Sequence, residues 1–150
     1  MSVTIAVRLD ADLKDSLRAR DALRTSTIRL ARAAIKNAEI DRRRPLTDAE
    51  AIEVIQREVK HRREAIEAFE RGGRADLVAK EQLEMAILLG YLPALLEEAD
   101  LRRIVAEVAT ETQAAGDRDF GRVMGQVMRR VAGRAEGRTV ERIVREALRG

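Results

Sequence analysis

An all-α fold is the structure that this sequence predicts, with an N-terminal four-helix domain followed by a C-terminal three-helix tail domain. Ala, Leu, Arg and Glu dominate the composition, and these residues favour helices. Apolar residues recur at intervals of three and four positions, which is the spacing of one helix face. Only 2 prolines occur in 150 residues, so little forbids long helices. We place the domain boundary between Pro93 and Leu96, which gives domains 1–95 and 96–150 with a hinge near Pro93.

The first two helices are predicted from caps and apolar spacing. The run from Val3 to Val7 predicts a short strand or an extended arm. Asp10 then follows as the predicted N-cap of the first helix. A second helix is predicted over residues 23–43 and ends before Pro45, which breaks the helical pattern.

The third helix has the clearest local signals. Thr47 and Glu50 have the spacing of a capping box, in which each side chain satisfies a backbone group of the other. Gly72 and Gly73 end the helix, and a fourth helix is predicted over residues 74–90. One apolar stripe is predicted to be buried on the third helix: Ile52, Ile55, Val59, Ile66 and Phe69.

Three further helices are predicted in the tail domain. Acidic residues at positions 97–100 begin the fifth helix, where the helix dipole favours negative charge. The sixth and seventh helices carry apolar stripes that begin at Phe120 and Val140. Between these two helices, Gly133 and Gly137 either cap the flanking helices or let the backbone approach a phosphate closely.

Positive charge is concentrated at the end of the chain. The net charge is +3, and the sequence pI is about 9.8. Residues 117–150 hold nine Arg and five acidic residues, a net charge of +4, whereas residues 1–116 hold 20 basic and 21 acidic residues, a net charge of −1. A basic segment of this kind indicates an anionic partner, although a solvated, Arg-rich helix surface fits the same count.

Arginines of the tail domain are the predicted nucleic-acid-binding residues. Arginine pairs with phosphate through two parallel hydrogen bonds, which suits recognition of a nucleic-acid backbone. Aromatic residues make up only 2% of the chain, so stacking on splayed bases is nearly unavailable. RNA binding should therefore read shape and phosphates, as in a folded tRNA. The predicted residues are Arg122, Arg129, Arg130, Arg134, Arg138 and Arg142, with Arg145 close by.

The sequence shows no constellation for independent catalysis. There is no Cys, and the Ser residues lie at the terminus or inside predicted helices. A lone His61 supports neither a catalytic triad nor a metal site, and no phosphate-binding loop occurs, so no cofactor or metal is predicted. Apolar runs are too short to span a bilayer, and the N-terminus lacks a secretory signal. Together with the absence of Cys, these features predict a cytoplasmic protein without a membrane partner.

Several blocks of sequence resemble the YqeY-like family, in the family's order. They are residues 33–40, 54–70, 73–77, 87–93, 119–125 and 133–137. The resemblance covers residues 10–149 and implies a helical N-terminal domain followed by a tail similar to the C-terminal domain of the B subunit of the aspartyl/glutamyl-tRNA amidotransferase. In that enzyme the tail helps to hold the body of the tRNA.

This resemblance implies a non-catalytic, tRNA-binding accessory protein, related by its tail to carbon–nitrogen ligation with glutamine as nitrogen donor. One departure is that Arg129 and Arg130 stand where the family usually has proline and lysine, which allows a longer sixth helix. The alternative function is a protein–protein adaptor without RNA binding. Its docking face would be the charged side of the third helix: Arg57, Lys60, Arg62 and Arg63 beside Glu58, Glu64 and Glu67.

Overall fold

The computed structural model describes residues 4–150, and these form seven α-helices and one short 3-10 turn. The described residues contain no strand, so the prediction of an all-α fold is confirmed. The helices are α1 (Ile5–Arg18), α2 (Ala22–Arg42), α3 (Asp48–Arg71), α4 (Ala75–Leu89), α5 (Glu98–Glu111), α6 (Phe120–Val131) and α7 (Gly137–Arg149). No helix in this part of the chain is long and apolar enough to cross a lipid bilayer.

The chain divides into two compact units, unit 1 (Met1–Leu92) and unit 2 (Pro93–Gly150). Unit 1 contains α1 to α4, and unit 2 contains α5 to α7. The domain limits at residues 95 and 96 and the hinge near Pro93 stay predictions.

The core of unit 1 receives apolar side chains from all four of its helices. On α3, Ile55, Val59 and Ile66 are buried, whereas Ile52 and Phe69 are half-buried, so the predicted stripe faces inward. The other buried members come from α1, α2, the start of α3, the end of α4 and the turn after it: Ile5, Leu9, Ile28, Ala31, Ile35, Ala51, Val54, Leu88 and Tyr91.

The start of α1 differs from the prediction. Residues 5–7 are helical, so the predicted strand or arm is wrong for them, and Val3 lies outside the described residues. Thr4, not Asp10, is the N-cap, since its side chain accepts a hydrogen bond from the Val7 N–H at 3.2 Å. The physical reason is tertiary: Ile5 and Leu9 lie one helical turn apart, and both enter the core.

The turn from α2 to α3 is held by the predicted capping box, which is confirmed. Thr47 accepts from the Glu50 N–H at 3.2 Å, and Glu50 accepts from the Thr47 N–H at 3.0 Å. Arg44 adds two hydrogen bonds of 2.7 Å to the same carboxylate. These contacts, led by Arg44, hold the pKa of Glu50 far below its usual value.

The adaptor hypothesis expected Arg62 of α3 to lie on an exposed docking face, and it does not. Its side chain is only 12% exposed and forms ion pairs with Glu81, at 3.0 Å, and with Glu84. Glu84 is itself buried between α3 and α4. The Nε atom of Arg62 has no hydrogen-bond partner among the described residues.

Four helices end at a residue in the left-handed conformation that is not glycine. These residues are Arg20, Arg43, Gln113 and Ala132, with φ between 46° and 57°. Glycine is the usual occupant of such helix-terminating positions because it has no Cβ.

The core of unit 2 is small and rich in valine. It is formed by the inner faces of α5, α6 and α7 together with Ala135 of the α6–α7 loop. The predicted stripes supply most of it: Leu101, Val105, Val108, Val123, Val127, Val140, Ile143 and Val144. Val131, at the end of α6, was not part of the predicted stripe and is also buried in this core.

Candidate nucleic-acid interface

The loop between α6 and α7 is fixed by backbone geometry. Ala132 and Gly133 both have positive φ, of 46° and 83°, and reverse the chain after α6. The Arg134 N–H donates to the Val131 carbonyl at 2.9 Å, and the Arg134 carbonyl accepts from the Leu96 N–H at 2.7 Å. Gly133 therefore serves to end a helix, which agrees with the first of its two predicted roles.

Three of the six predicted arginines flank this loop, and we call Arg129, Arg134 and Arg138 the turn arginines. All three are exposed. Arg129 forms no ion pair or hydrogen bond with any residue that the structure describes. The Nε of Arg134 donates weakly to the Ala94 carbonyl at 3.4 Å, which leaves the outer nitrogens of its guanidinium to solvent.

Arg138 begins a groove of about 430 Å³ along α7. The lining is entirely charged and contains four arginines and two glutamates: Arg138, Glu141, Arg142, Arg145, Glu146 and Arg149. This mixture of signs means that the groove is not a uniformly positive channel.

Arg122 and Arg130 are committed to contacts within unit 2. Arg122 donates to the Thr112 carbonyl at 3.0 Å and pairs with Asp119 at 3.0 Å. Arg130 donates to Glu111 at 2.6 Å, and this hydrogen bond lowers the pKa of the Glu111 carboxyl. Both arginines tie α6 to the end of α5, so a phosphate would have to compete for them.

Arg142 belongs to a ring of alternating charges between α5 and α7, the charge ring, formed with Glu98, Arg102 and Glu146. Arg102 lies 2.8 Å from Glu98 and 2.9 Å from Glu146. Arg142 lies 3.3 Å and 3.4 Å from the same two carboxylates. Arg102, and after it Arg142, lowers the pKa of both glutamates. Two carboxylates already share Arg142, so its main role is to hold α7 to α5.

The charge of the folded units differs from the charge of the sequence segments. Unit 2 contains 11 Arg and 10 acidic residues, a net charge of +1. Unit 1 contains 18 basic and 16 acidic residues, a net charge of +2. The +4 of residues 117–150 is largely neutralised by the five carboxylates of residues 97–111. Unit 2 is therefore close to neutral as a whole, and a positive surface on it can only be local.

Two aromatic side chains lie under arginines, a pattern that was not predicted from the sequence. The Arg145 guanidinium lies 4.2 Å from the centre of the Phe120 ring. Arg8 lies 4.8 Å from the centre of the Tyr91 ring, and the Tyr91 hydroxyl donates to Asp12. Burial and this carboxylate raise the pKa of Tyr91. Neither ring presents a free face on that side for stacking a base.

The remaining candidate side chains form no reactive site. His61 is exposed on α3, and the described residues contain no cluster of three His, Asp or Glu able to hold a metal. Ser16 is buried, donates to the Leu13 carbonyl at 2.9 Å and accepts from Thr25 at 2.9 Å. These contacts give Ser16 a structural role at the junction of α1 and α2.

Comparison with known proteins identifies relatives of this chain. The family model described as Yqey-like protein matches residues 6–148. The mitochondrial protein named Altered inheritance of mitochondria protein 41 of Eremothecium gossypii is 44% identical over 88 residues, which are 58% of this chain and 48% of the relative. Its counterpart in Pyrenophora tritici-repentis is 35% identical over 120 residues, 78% of this chain and 65% of the relative. The chain thus spans about half to two thirds of these relatives.

The names of the relatives contradict the prediction of a cytoplasmic protein. Both proteins, like the 36% identical relative from Lachancea thermotolerans, are named as mitochondrial. The prediction was wrong because it relied on the absence of Cys and of a secretory signal. Neither feature distinguishes one intracellular compartment from another.

Proposed function

Because the chain belongs to the Yqey-like protein family, we propose that it is a non-catalytic, tRNA-binding accessory protein whose unit 2 contacts the phosphate backbone of a folded tRNA. The proposal includes the relation of unit 2 to the tail of the tRNA-dependent amidotransferase B subunit, for which the sequence resemblance is the support. The observation that carries it in the fold is the exposure of the turn arginines around a loop with a fixed backbone.

The turn arginines have the properties that phosphate binding requires. A guanidinium offers five N–H donors in a planar fork, and it keeps its charge at any physiological pH. Arg129 has no competing carboxylate among the described residues, and Arg134 has only a weak contact with a carbonyl. The loop backbone beneath them is held at both Val131 and Leu96, so little ordering is lost on binding.

Contacts of this kind position a nucleic acid without reading its sequence. Phosphate contacts carry no base information, and sequence readout in single-stranded RNA needs exposed aromatic faces. Phe120 and Tyr91 are each covered on one face by an arginine. We therefore expect similar affinity for many tRNAs and no catalysis by this chain alone, including no release of ammonia from glutamine.

The test compares the salt dependence of tRNA binding in two triple variants. The first, Arg129→Gln/Arg134→Gln/Arg138→Gln, removes the turn arginines. The matched control, Arg103→Gln/Arg118→Gln/Arg149→Gln, removes the same charge from exposed arginines elsewhere in unit 2. Binding of a bulk tRNA mixture is measured by filter binding between 50 and 200 mM salt.

We expect the turn variant to flatten the slope of log affinity against log salt by about one unit per lost contact, and the control to leave it almost unchanged. Equal changes in both variants would assign the effect to net charge alone. A wild-type protein that binds no tRNA at 50 mM salt would overturn the proposal.

The adaptor function keeps one observation in its favour. Among the described residues, six of the seven large apolar side chains that are exposed lie on unit 1 helices: Val7, Leu17, Leu30, Ile40, Leu83 and Leu89. Exposed aliphatic side chains are common at protein–protein contacts, but scattered ones are also normal on a monomer surface. Steep salt dependence of tRNA binding separates the two functions, because an adaptor has no tRNA affinity to lose.

A further inference from the structure

Unit 1 is divided into a positive half and a negative half. Residues 1–44 contain 11 basic and six acidic residues, a net charge of +5. Residues 45–92 contain seven basic and ten acidic residues, a net charge of −3. The positive half, which forms α1 and α2, carries more net charge than the arginine-rich end of the chain. This positive half is hidden in the net charge of −1 for residues 1–116, because the carboxylates of residues 45–116 offset it.

An open cleft of about 420 Å³ lies between α1 and α2 within this positive half. Its wall on α2 carries Arg29, Arg32 and Lys36, which are spaced by three and four positions and therefore share one helix face. Alanines at positions 6 and 33 also line it, and their short side chains leave room for a bulky group between the cations.

The cations of the cleft are available to a ligand. Arg29 and Lys36 form no ion pair or hydrogen bond with any residue that the structure describes. Arg32 is held through its Nε by Asp10 at 2.9 Å, and this pair orients its outer nitrogens instead of occupying them. The second acidic residue of the lining, Glu39, accepts from the Leu46 N–H at 2.9 Å at the start of the next loop.

We propose that this α1–α2 cleft is a second phosphate-contacting surface, which binds the backbone of an RNA through Arg29, Arg32 and Lys36. Arg29 and Lys36 lie about 10 Å apart along the helix axis, so a strand that follows the cleft meets all three cations. The identity of the polyanion as RNA rests on the proposed function, whereas the site rests on the charge and geometry of unit 1.

A concave cleft favours a polymer over a flat anionic membrane. The cations lie on the wall of the cleft, where a strand reaches them more readily than a bilayer surface does. Exposed Val7, Leu30 and Ile40 on the same two helices are the features that a membrane would use instead. Membrane binding is therefore an outcome that the test must separate.

The test uses the full chain and a pair of charge-matched variants. Arg29→Gln/Lys36→Gln neutralises two cations of the cleft and keeps good helix formers. Arg57→Gln/Lys60→Gln is the control, since it removes the same charge from exposed positions on α3, in the negative half of unit 1. Circular dichroism confirms that both fold, and tRNA binding is measured at 50 and 200 mM salt beside the turn variant.

Each phosphate contact contributes about 0.9 to the salt slope. We call Arg29→Gln/Lys36→Gln the cleft variant. Over this fourfold change in salt, the tRNA affinity of the wild-type protein should therefore fall by about tenfold more than that of the cleft variant, and the control should resemble wild type. A cleft variant with a wild-type slope would overturn this inference. If it keeps RNA binding but loses sedimentation with anionic phosphatidylserine vesicles, the cleft is a membrane site and the inference is equally overturned.

The outcomes also separate this inference from the proposed function. A flatter salt slope in the cleft variant alone supports RNA binding by the cleft and contradicts binding by the turn arginines. A flatter salt slope in the turn variant alone contradicts RNA binding by the cleft and supports binding by unit 2. Loss in both variants, with both controls unchanged, supports the two surfaces together.

Discussion

Unit 1 buries four polar or charged side chains, whereas the buried side chains of unit 2, among the described residues, are all apolar. The four in unit 1 are Ser16, Thr25, Thr27 and Glu84. Unit 2 keeps its many ion pairs, including the charge ring, on its surface. Buried polar groups need partners in one fixed geometry, while surface ion pairs are worth little individually. Stability in unit 1 should thus depend on particular polar contacts, and in unit 2 on the volume of a small core.

The largest effect should come from breaking the buried ion pair of unit 1. Glu84→Ala leaves Arg62 buried with only Glu81 as a partner, so we expect a loss of about 3 kcal/mol in the free energy of unfolding. Urea denaturation measures the loss, and peptide-resolved hydrogen exchange assigns it to unit 1. The double variant Arg62→Met/Glu84→Leu, which removes both charges, should be nearly neutral. A double variant as unstable as the single one would contradict this account of unit 1.

The matching change in unit 2 is the removal of core volume. Val127→Ala deletes two methyl groups from a fully buried position, which should cost about 2 kcal/mol. Hydrogen exchange should show faster opening in α5 to α7 and unchanged protection in α1 to α4. Val7→Ala is the control, because Val7 is exposed and its truncation should change stability by less than about 0.5 kcal/mol. A loss no greater than that of the control would show that the valine core does not carry unit 2.

A smaller effect is expected at the turn between α2 and α3. Thr47→Ala removes one half of the capping box and should cost about 1 kcal/mol. Thr47→Ser keeps the hydroxyl and serves as the conservative control in the same thermal denaturation. If the two variants melt at the same temperature, the hydrogen bond of the Thr47 side chain contributes nothing to stability, and this cap does not distinguish unit 1 from unit 2.

The smallest effect concerns acid. Glu98, Glu111, Asp119 and Glu146 in unit 2 have folded-state pKa values below their usual ones, chiefly through hydrogen bonds from arginines and, for Asp119, from the backbone. A carboxyl with a lowered pKa stabilises the fold above its unfolded pKa of about 4, and this contribution disappears as the pH falls below it. Unit 2 should therefore lose stability between about pH 5 and pH 3.

Glu98→Gln/Glu146→Gln should flatten this acid dependence, as followed by urea denaturation at pH 3, 5 and 7. Since these groups are exposed, the change should be smaller than in the three stability tests above. The control Glu53→Gln/Glu70→Gln alters two exposed glutamates of α3 outside the charge ring. A variant with the same acid dependence as wild type would show that the ring does not bind α7 to α5 in solution.

Local signals were readable from the sequence, and distant pairings were not. The capping box of Thr47 and Glu50 spans three residues and was visible as a motif. The start of α1 was not predicted because it depends on elements far along the chain. Ile5 is buried against such elements, and its N–H donates a hydrogen bond to the Asp48 carboxylate at 3.0 Å. The pairing of Arg142 with Glu98 was not predicted for the same reason, since the two residues lie 44 positions apart. The presence of a helix and its buried face follow from residue spacing, but the partner of a long charged side chain depends on which helices become neighbours.

The left-handed helix ends give the molecule room for engineering. A side chain at such a position crowds the following carbonyl, which costs roughly 1 kcal/mol that glycine would not incur. The chain therefore has four separate positions at which relief of this strain would raise the melting temperature: Arg20, Arg43, Gln113 and Ala132. Natural proteins are only slightly more stable than their function requires, so positions of this kind remain open to stabilising substitutions. Replacing Gln113 or Ala132 with glycine would offer a tougher starting scaffold for selecting new surface functions, since it leaves both packed interiors untouched.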